Sequence, residues 1–331
     1  MTVERIQRDS EEKGEEEDML LFHPGARFRL LEIPAINQHN PVMPLAALRR
    51  RSYFSDRRTT VVVSRHITQK PIRQHLHEFL EIAIILSGEG VHVTGSLHHP
   101  IAAGDVLVIS RRRPHGYERT CGLNLVNLLV REDALPRLAR DLRFLPGFHA
   151  LFTLESMRWS RENYASRLRL APADLAQVGE WANRLEEETQ RPEQGGRVLA
   201  EAYLVLIMGL LVQRYSRPGR LAALPEGGMG RVLSWIESYL AEPLSVAQLA
   251  QQAGMSARSF HRHFRKATGW TPLQYLLRQR IARARDHLGT RPAQRIGELA
   301  TQCGFDDSNY FSRVFRARTG MSPRRFSRQA S

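Results

Sequence analysis

The stretch CGFDDSNYFSRVFRARTGMSP, residues 303–323, decides how the chain is interpreted. Its aromatic residues fall at helical spacing, and it has several arginines and polar side chains of the kind that contact bases. Part of it occurs twice, because HFRKATGWTP at 263–272 matches VFRARTGMSP at 314–323 with an offset of 51 residues. Upstream, LAQQAGMS at 249–256 matches LATQCGFD at 299–306 with an offset of 50. The last third of the chain therefore contains two copies of one supersecondary unit.

Each copy predicts a helix, a glycine-containing turn and a second helix. In the first copy Ser245 can cap a helix over 246–253, Gly254 supplies the turn, and Ser256 caps a helix that ends near Gly269. In the second copy the turn is at 303–305 and the next helix runs from about 307 to 319. Two small cores are expected, formed by Leu249, Ala250, Phe260 and Phe264, and by Leu299, Ala300, Tyr310, Phe311 and Phe315. This is the helix-turn-helix pattern, in which the second helix enters a major groove.

The residues that remain outward on the second helices suit base recognition. Arginine can bond a guanine edge, asparagine an adenine edge, and aspartate can accept from cytosine. A single such helix would be equally consistent with an ordinary solvated face, but two copies in register favour DNA. The predicted DNA-binding residues are Arg258, His261, Arg262, Arg265, Asp307, Asn309, Ser312, Arg313 and Arg316.

The charge of the chain is concentrated in the same region. The net charge is +14, and residues 229–331 contain 17 arginines and lysines against 6 acidic residues. Arginine suits phosphate and guanine, although a general arginine bias can also reflect a GC-rich genome. The uneven distribution is what indicates an electrostatic footprint for double-stranded DNA.

The last hundred residues resemble the AraC/XylS family of bacterial transcription regulators. GFDDSNYFSRVFRARTGMSP is similar to that family's motif, and PLQYLLRQRIARARDHL, residues 272–288, corresponds to its linker helix. That helix is roughly 25 Å long at 1.5 Å per residue, a suitable brace for two recognition helices about one DNA turn apart. The resemblance implies operator DNA and RNA polymerase as partners. It also implies a homodimer, for which the apolar helix over 197–215 is the candidate surface, unless that helix packs on its own barrel.

The preceding half has a different pattern. Short β-branched runs over about 59–130 predict strands, with SGEG and TGS as hairpin turns. QHLHEFLEIAIILSG supplies His75, His77, Glu81 and Gly88, and GDVLVISRRRPH supplies Gly104 and His115. These spacings resemble the two cupin motifs, although Ser110, Arg112 and Arg119 replace residues of the second motif. His75, His77 and Glu81 alternate, as on one strand, so their side chains are expected to share one side.

Three uses of this cluster remain open: binding of a small polar effector, a site for Fe, Mn, Zn or Ni, and a purely structural constellation. We predict the first, with His75, His77, Phe79, Glu81 and His115 as effector-binding residues and with no metal, cofactor or catalytic residue. From about residue 65 onward the chain is similar to the regulators of the bacterial rhamnose operon, which implies a sugar such as rhamnose. The alternatives are a metal-dependent cupin enzyme and a protein that binds DNA by charge alone.

The predicted fold class is α+β. Residues 1–19 form a disordered acidic tail, 20–215 a cupin-like β-barrel domain with flanking helices for effector binding and dimerisation, 216–228 a linker, and 229–331 an all-α DNA-binding domain of two helix-turn-helix units joined by a linker helix. Only two cysteines are present, Cys121 and Cys303, and the N-terminus lacks the apolar core of a signal peptide. The longest apolar stretch, 203–212, is about half of a membrane span. These features indicate a cytoplasmic protein with no membrane partner.

Overall fold

The β-branched runs of the first half form strands that pair into one eight-stranded sheet. The computed structural model describes residues 47–48, 53–54, 56, 58–111, 113–154, 168–217, 227–290 and 294–330. The acidic tail and most of the predicted linker lie outside these residues. The strands are β1 Ala47–Leu48, β2 Val61–His66, β3 Ile72–His77, β4 Leu80–Thr94, β5 Leu97–Ala102, β6 Asp105–Ile109, β7 His115–Val130 and β8 Leu168–Arg169.

Two long strands, β4 and β7, organise the sheet. They pair with each other antiparallel, and each is shared between two further partners along its length. One end of β4 pairs with β6 and the other with β5, while one end of β7 pairs with β3 and the other with β2. The order is β1-β3-β7-β4-β6-β8, with β2 on β7 and β5 on β4. The two long strands thus join all the other strands into one sheet, and the predicted sheet-rich domain with flanking helices is confirmed.

Alternation along β4 gives the sheet two different faces. Ile82 and Ile84 face the cluster that includes the flanking helices, whereas Ala83 and Ile85 belong to a second cluster with Leu107, Ile109, Tyr117 and Leu125. Side chains two residues apart share a face. Glu81 therefore lies on the same side as Ala83 and Ile85, away from the helices.

One predicted turn is wrong and one is confirmed. SGEG lies inside β4, where the pairing with β7 shifts register between Ile85 and Val91. Gly88 has φ +74°, and a Cβ there would collide with the backbone of Gly122, so the glycine serves a bulge and not a hairpin. The TGS turn does join β4 to β5, with Gly95 at φ +59°.

Two helices, α3 Pro172–Thr189 and α4 Gly196–Tyr215, pack on the outer face of the sheet. They follow two short helical turns, α1 Leu135–Leu138 and α2 Pro146–Phe148, the second continuing as a π-helical segment His149–Leu154. By length and composition α4 could cross a membrane, but a core helix passes the same test. One face of α4 is buried between the sheet and α3, and Leu199 and Leu206 on another face are each 47% exposed.

The C-terminal region is helical, as predicted. Its helices are α5 Gly227–Ser238, α6 Val246–Gln252, α7 Ala257–Thr268, α8 Pro272–Thr290, α9 Ile296–Gln302, α10 Ser308–Thr319 and α11 Pro323–Ala330. Ser245 forms a capping box with Gln248, Ser256 caps α7, and Gly254 and Gly304 have positive φ in the two turns. The last helix, α11, was not anticipated from the sequence.

The two expected cores are present, with one correction. All the predicted residues of the first core are buried, as are Leu299, Ala300, Phe311 and Phe315 of the second. Tyr310 is 41% exposed and does not belong to the core, because it is one residue before Phe311 and projects about 100° away around the helix.

The segment between β7 and β8 contacts the first helix of the C-terminal region. Leu154 is buried in the same cluster as Met229, Val232 and Leu233 of α5. Arg143 lies 3.6 Å from the buried carboxylate of Glu237, also on α5. The core of the first helix-turn-helix unit therefore extends into the sensor half.

Candidate effector site and nucleic-acid interface

The ends of β3, β4 and β7 bring together His77, Glu81 and His115, called here the histidine–glutamate cluster. His77 is the last residue of β3, Glu81 is next to the start of β4, and His115 is the first residue of β7. The Nε2 atoms of His77 and His115 lie 3.6 Å and 3.7 Å from the two carboxylate oxygens of Glu81. All three side chains are buried, Glu81 being 4% exposed. The structure thus assembles the predicted group, but β3 ends at His77, so Glu81 does not continue the strand of His75 and His77.

Backbone carbonyls fix the orientation of each imidazole. The Nδ1 atoms of His77, His75 and His115 lie 2.8 Å, 3.2 Å and 3.3 Å from the carbonyl oxygens of Phe79, Arg73 and Arg113 respectively. Because a carbonyl only accepts, Nδ1 donates in each case. The other ring nitrogen, Nε2, faces Glu81 in His77 and in His115.

The protonation states follow from burial. Burial lowers the pKa of His77 to about 4 against the attraction of Glu81, and burial together with His115 lowers that of His75 to about 4. Burial opposes ionisation of Glu81, but the neighbouring imidazoles, His115 foremost, outweigh it and hold the pKa of its carboxyl well below the ordinary value. At neutral pH His75 and His77 are therefore uncharged and Glu81 is ionised.

Aromatic rings support the cluster. Phe79 stacks on His77 with ring centroids 4.5 Å apart, and the edges of Tyr53 and Phe54 meet Phe79. One face of Phe79 is therefore already covered by an imidazole. His75 packs against His115 with ring centroids 4.4 Å apart and is only partly buried.

The sequence prediction missed three polar residues of the same interior. His92 is buried with its ring centroid 5.9 Å from that of His115 and 5.5 Å from that of Tyr117, and buried His99 is its register partner on β5. Burial lowers the pKa of His92 well below the ordinary value. Plain alternation from Glu81 would place Val91 on the side of the cluster, but the register shifts between Ile85 and Val91 bring His92 there instead, so no signal in the sequence marked it.

Two surface depressions in the described residues are lined by other groups. One of about 280 Å³ lies between β4, β5, Arg119 and Arg169. The other, of about 360 Å³, has Arg278, Arg285 and Arg318 in its wall, between α8 and α10. Neither reaches the histidine–glutamate cluster.

The two second helices present equivalent faces to solvent. Counted at the offset of 51, Phe260 and Phe264 of α7 correspond to Phe311 and Phe315 of α10, and all four are buried. On the opposite face the predicted DNA-binding residues are exposed, apart from the partly buried Ser312. The equivalent pairs are Arg258 with Asn309, His261 with Ser312, Arg262 with Arg313, and Arg265 with Arg316.

Asp307 has a structural role in addition to the predicted contact with DNA. It is the N-cap of α10, and its Oδ1 accepts hydrogen bonds from the backbone N–H groups of Asn309 at 2.6 Å and Tyr310 at 3.0 Å. These bonds lower the pKa of its carboxyl. Both engage the same oxygen, so Oδ2 is the atom that can approach a base.

Arg280 of the linker helix joins the two units. It is buried, and it donates to the carbonyls of Leu240 at 2.9 Å and Glu242 at 2.7 Å. Its guanidinium carbon lies 5.8 Å from the ring centre of Phe305 in the second turn. A Cβ at Gly304 would come within 2.8 Å of the same guanidinium, so this turn needs glycine for space as well as for its φ of +82°.

Two family models match the chain. Residues 60–204 match the AraC-like ligand binding domain, and residues 249–329 match a helix-turn-helix domain. The first range holds the histidine–glutamate cluster, and the second holds both recognition helices.

Curated relatives span nearly the same length. The chain is 32% identical over 278 residues to the HTH-type transcriptional activator RhaS of Escherichia fergusonii, covering 82% of this chain and 93% of the relative. It is 30% identical over 277 residues to the HTH-type transcriptional activator RhaR of Klebsiella pneumoniae, covering 83% of this chain and 94% of the relative.

Solved structures match mainly the C-terminal region. The DNA-binding domain of AdpA, a global transcriptional factor solved with a target DNA, is 35% identical. The match covers 31% of this chain and 91% of that domain, with a TM-score of 0.30. A single-residue variant of apo ToxT from Vibrio cholerae matches 82% of this chain and 98% of its own length, at 14% identity and a TM-score of 0.34.

Proposed function

The chain belongs to the AraC family of DNA-binding transcriptional regulators, and from that premise we propose that it is a cytoplasmic, sugar-responsive activator of a carbohydrate-use operon. The observation that carries the proposal is that one chain combines two equivalent exposed faces, on α7 and α10, with a buried polar cluster in the sensor barrel. It acts by binding and not by catalysis, since the cluster serves to recognise a ligand.

The DNA-binding part of the proposal rests on the exposed faces of α7 and α10. Arg258, Arg262, Asn309 and Arg313 have the side chains that bond base edges in a major groove. The net positive charge of this region strengthens binding to phosphates, which makes affinity salt-dependent. Arg280 holds the two units in one arrangement, so both helices can engage one stretch of operator DNA.

We place the effector in the interior of the barrel, where the polar cluster is buried. Burying imidazoles and a carboxylate without partners costs several kcal/mol, and a polyhydroxylated ligand offers donors and acceptors to such groups. We propose His75, His77, Glu81 and His115 as its polar contacts, with Phe79 supporting His77. Similarity to the regulators of the rhamnose operon makes rhamnose the first sugar to test.

Operators with two half-sites require a paired protein, so we propose a homodimer formed through the exposed face of α4. Leu199 and Leu206 lie one heptad apart on that face and are half exposed. An activator must also recruit RNA polymerase, which we propose as the remaining partner.

A thermal-shift screen of monosaccharides on the purified full chain tests the effector, because a ligand of the folded state raises the melting temperature. A duplex is then selected from a random pool and placed upstream of a reporter. His77→Ala should abolish the reporter response to the active sugar, whereas His98→Ala, at an exposed position of β5, should leave it intact. If Glu81→Gln and His77→Ala both leave the response unchanged, the effector pocket lies elsewhere and the assignment is wrong.

A further inference from the structure

The linker helix α8 lies between the two recognition helices, α7 and α10. Its residues Tyr275 and Leu276 are buried in the core of the first unit, and Ile281 and Ala284 are buried in the core of the second. Two helices that enter successive major grooves from the same side of a duplex are separated by a minor groove and by the phosphates on its edges. The exposed surface between α7 and α10 is therefore the part of the protein that those phosphates meet.

The depression of about 360 Å³ between α8 and α10 lies on this surface. Its wall has Arg278, Arg285 and Arg318 together with one threonine and three apolar residues, and it has no acidic residue. Arg278 and Arg285 lie on one stripe of α8, two turns or about 10 Å apart along the helix axis. That distance spans roughly three phosphates of one DNA strand, which follow one another about every 3.4 Å of duplex axis.

Aromatic rings hold two of these guanidinium groups. The Cζ atom of Arg278 lies 4.3 Å from the ring centre of Trp270, the second residue after α7, and that of Arg285 lies 5.7 Å from the ring centre of Phe326. A guanidinium that lies over a ring keeps the N–H donors of its edge available for phosphate oxygens. Burial and the positive charge of Arg278 lower the pKa of Arg318, so like charges lie close together in this wall. Such a concentration of positive charge favours an anionic occupant.

The depression adjoins the recognition face of α10. Ala317, in its wall, is one turn after Arg313 and directly follows Arg316, and both of these arginines are exposed. Residues four apart share one side of a helix. A duplex seated on the recognition face of α10 is therefore the anion that comes closest to the three arginines, which favours DNA over an acidic protein or a free phosphate as the occupant.

We propose that Arg278, Arg285 and Arg318 bind phosphates of the operator backbone between the two major grooves, in addition to the base contacts proposed for α7 and α10. These phosphate contacts add affinity on any sequence and fix the position of the recognition helices along the duplex, but they read no base. The inference rests on the proposed function, in which both helices engage one stretch of operator DNA.

The salt dependence of binding counts phosphate contacts. Fluorescence anisotropy of the full chain on the selected duplex gives the slope of log K against log salt concentration for the wild type, Arg278→Gln, Arg318→Gln and the double variant. We expect each substitution to make the slope shallower by about 1 and to weaken binding roughly five- to tenfold at about 0.1 M salt. The ranking of single-base variants of the site should not change, because a phosphate contact carries no sequence information.

Two matched variants control for charge and for folding. Arg278→Lys should keep the wild-type slope, since lysine also neutralises one phosphate. Arg231→Gln removes the same charge from an exposed position of α5, outside the depression, and should keep it too. The side chains of Arg278 and Arg318 are exposed, so their variants should melt at the wild-type temperature.

The outcomes separate this inference from the proposed function. Wild-type slopes for both glutamine variants overturn the phosphate contacts and leave sequence-specific binding intact; a simultaneous loss of reporter activation would assign the depression to an acidic protein. A loss confined to one base pair also overturns the inference, because it would place the arginine on a base edge. Equal affinity of the wild type for selected and random DNA contradicts the proposed function instead, and shallower slopes for the variants would then still support the phosphate contacts.

Discussion

Nε of Arg280 donates a 2.9 Å hydrogen bond to the backbone carbonyl of Leu240, which ties the linker helix to the segment between α5 and α6, just before the first helix-turn-helix unit. The same guanidinium lies against the second turn at Gly304 and Phe305. One buried side chain therefore contacts both units and determines their relative arrangement.

Arg280→Met should uncouple the two units. It removes two charge-assisted hydrogen bonds and leaves two carbonyls without a donor, at a cost of about 2–4 kcal/mol in the free energy of unfolding. Affinity for a selected full-length DNA site should fall at least about tenfold, because the second unit no longer binds from a fixed position. Fluorescence anisotropy on that duplex, and on one with half of the site randomised, measures the effect. Arg280→Lys should be intermediate; equal affinities for all three proteins would show that the brace is irrelevant to binding.

Arg262→Ala should relax discrimination at one base pair of the site by about 1–3 kcal/mol. The exposed guanidinium on α7 is proposed to contact a base edge, so its removal should affect one position and not the whole duplex. Competition binding with single-base variants of the selected DNA gives the pattern. Arg184→Ala on α3, an exposed arginine of the sensor half, is the matched control. A uniform loss on all sequences would assign Arg262 to the phosphate backbone.

Leu199→Glu combined with Leu206→Glu should produce monomers. The two side chains project from one face of α4, and charges there would repel across a two-fold interface without disturbing the buried face. Light scattering after size exclusion measures the mass. Gln177→Glu, at an exposed position of α3, should remain dimeric. Persistence of the dimer in the double variant would place the interface elsewhere.

Gly230→Ala should disturb the contact between sensor and DNA-binding halves. A Cβ at this position would lie 2.8 Å from the carbonyl oxygen of Pro146 and 3.2 Å from the Cβ of Ala150. We expect destabilisation of about 1–3 kcal/mol and a reduced reporter response. Gly228→Ala on the same helix meets only the end of Arg231 at 3.8 Å, so it should be neutral or slightly stabilising. Thermal unfolding of the two variants compares them directly, and equal melting temperatures would contradict the contact.

His149 should make the chain less stable in acid. Burial lowers the pKa of its imidazole to about 4, so between pH 6.5 and 4 the unfolded chain binds a proton that the folded chain excludes. Its contribution to stability is complete above pH 6.5 and declines as the pH falls, by at most about 3 kcal/mol. His149→Gln should reduce the acid dependence measured by urea unfolding between pH 7 and 5. Parallel curves for the two proteins would rule out this histidine as the cause.

The helices and turns of the C-terminal region can be predicted from its sequence because the capping and turn residues act locally. Ser245, Gly254, Ser256 and Gly304 each act within a few residues, and each has the predicted capping or turn role. Tyr310 was misplaced because helical spacing alone does not separate it from Phe311, which is one position further round the helix.

The sensor half was less predictable because its strands pair with segments that are distant in the sequence. β3 and β5 are short and polar, and the partners that hold them are forty residues away on β7 or across a turn on β4. SGEG has the composition of a hairpin, but strand pairing on both sides makes it a bulge. The motif spacing did identify His75, His77, Glu81 and His115, while His92 and the contact of Arg143 with Glu237 depend on the three-dimensional arrangement.

The exposed faces of α7 and α10 are not identical, and this difference bears on the direction in which a bound chain lies along DNA. Arg258 and His261 of α7 correspond to Asn309 and Ser312 of α10, whereas the two following arginine pairs are the same. If these faces contact bases as proposed, a site that suits them in one order does not suit them in the reverse order. The chain is therefore expected to lie in one direction along the duplex, so that inverting its site would turn the sensor barrel towards the opposite flank.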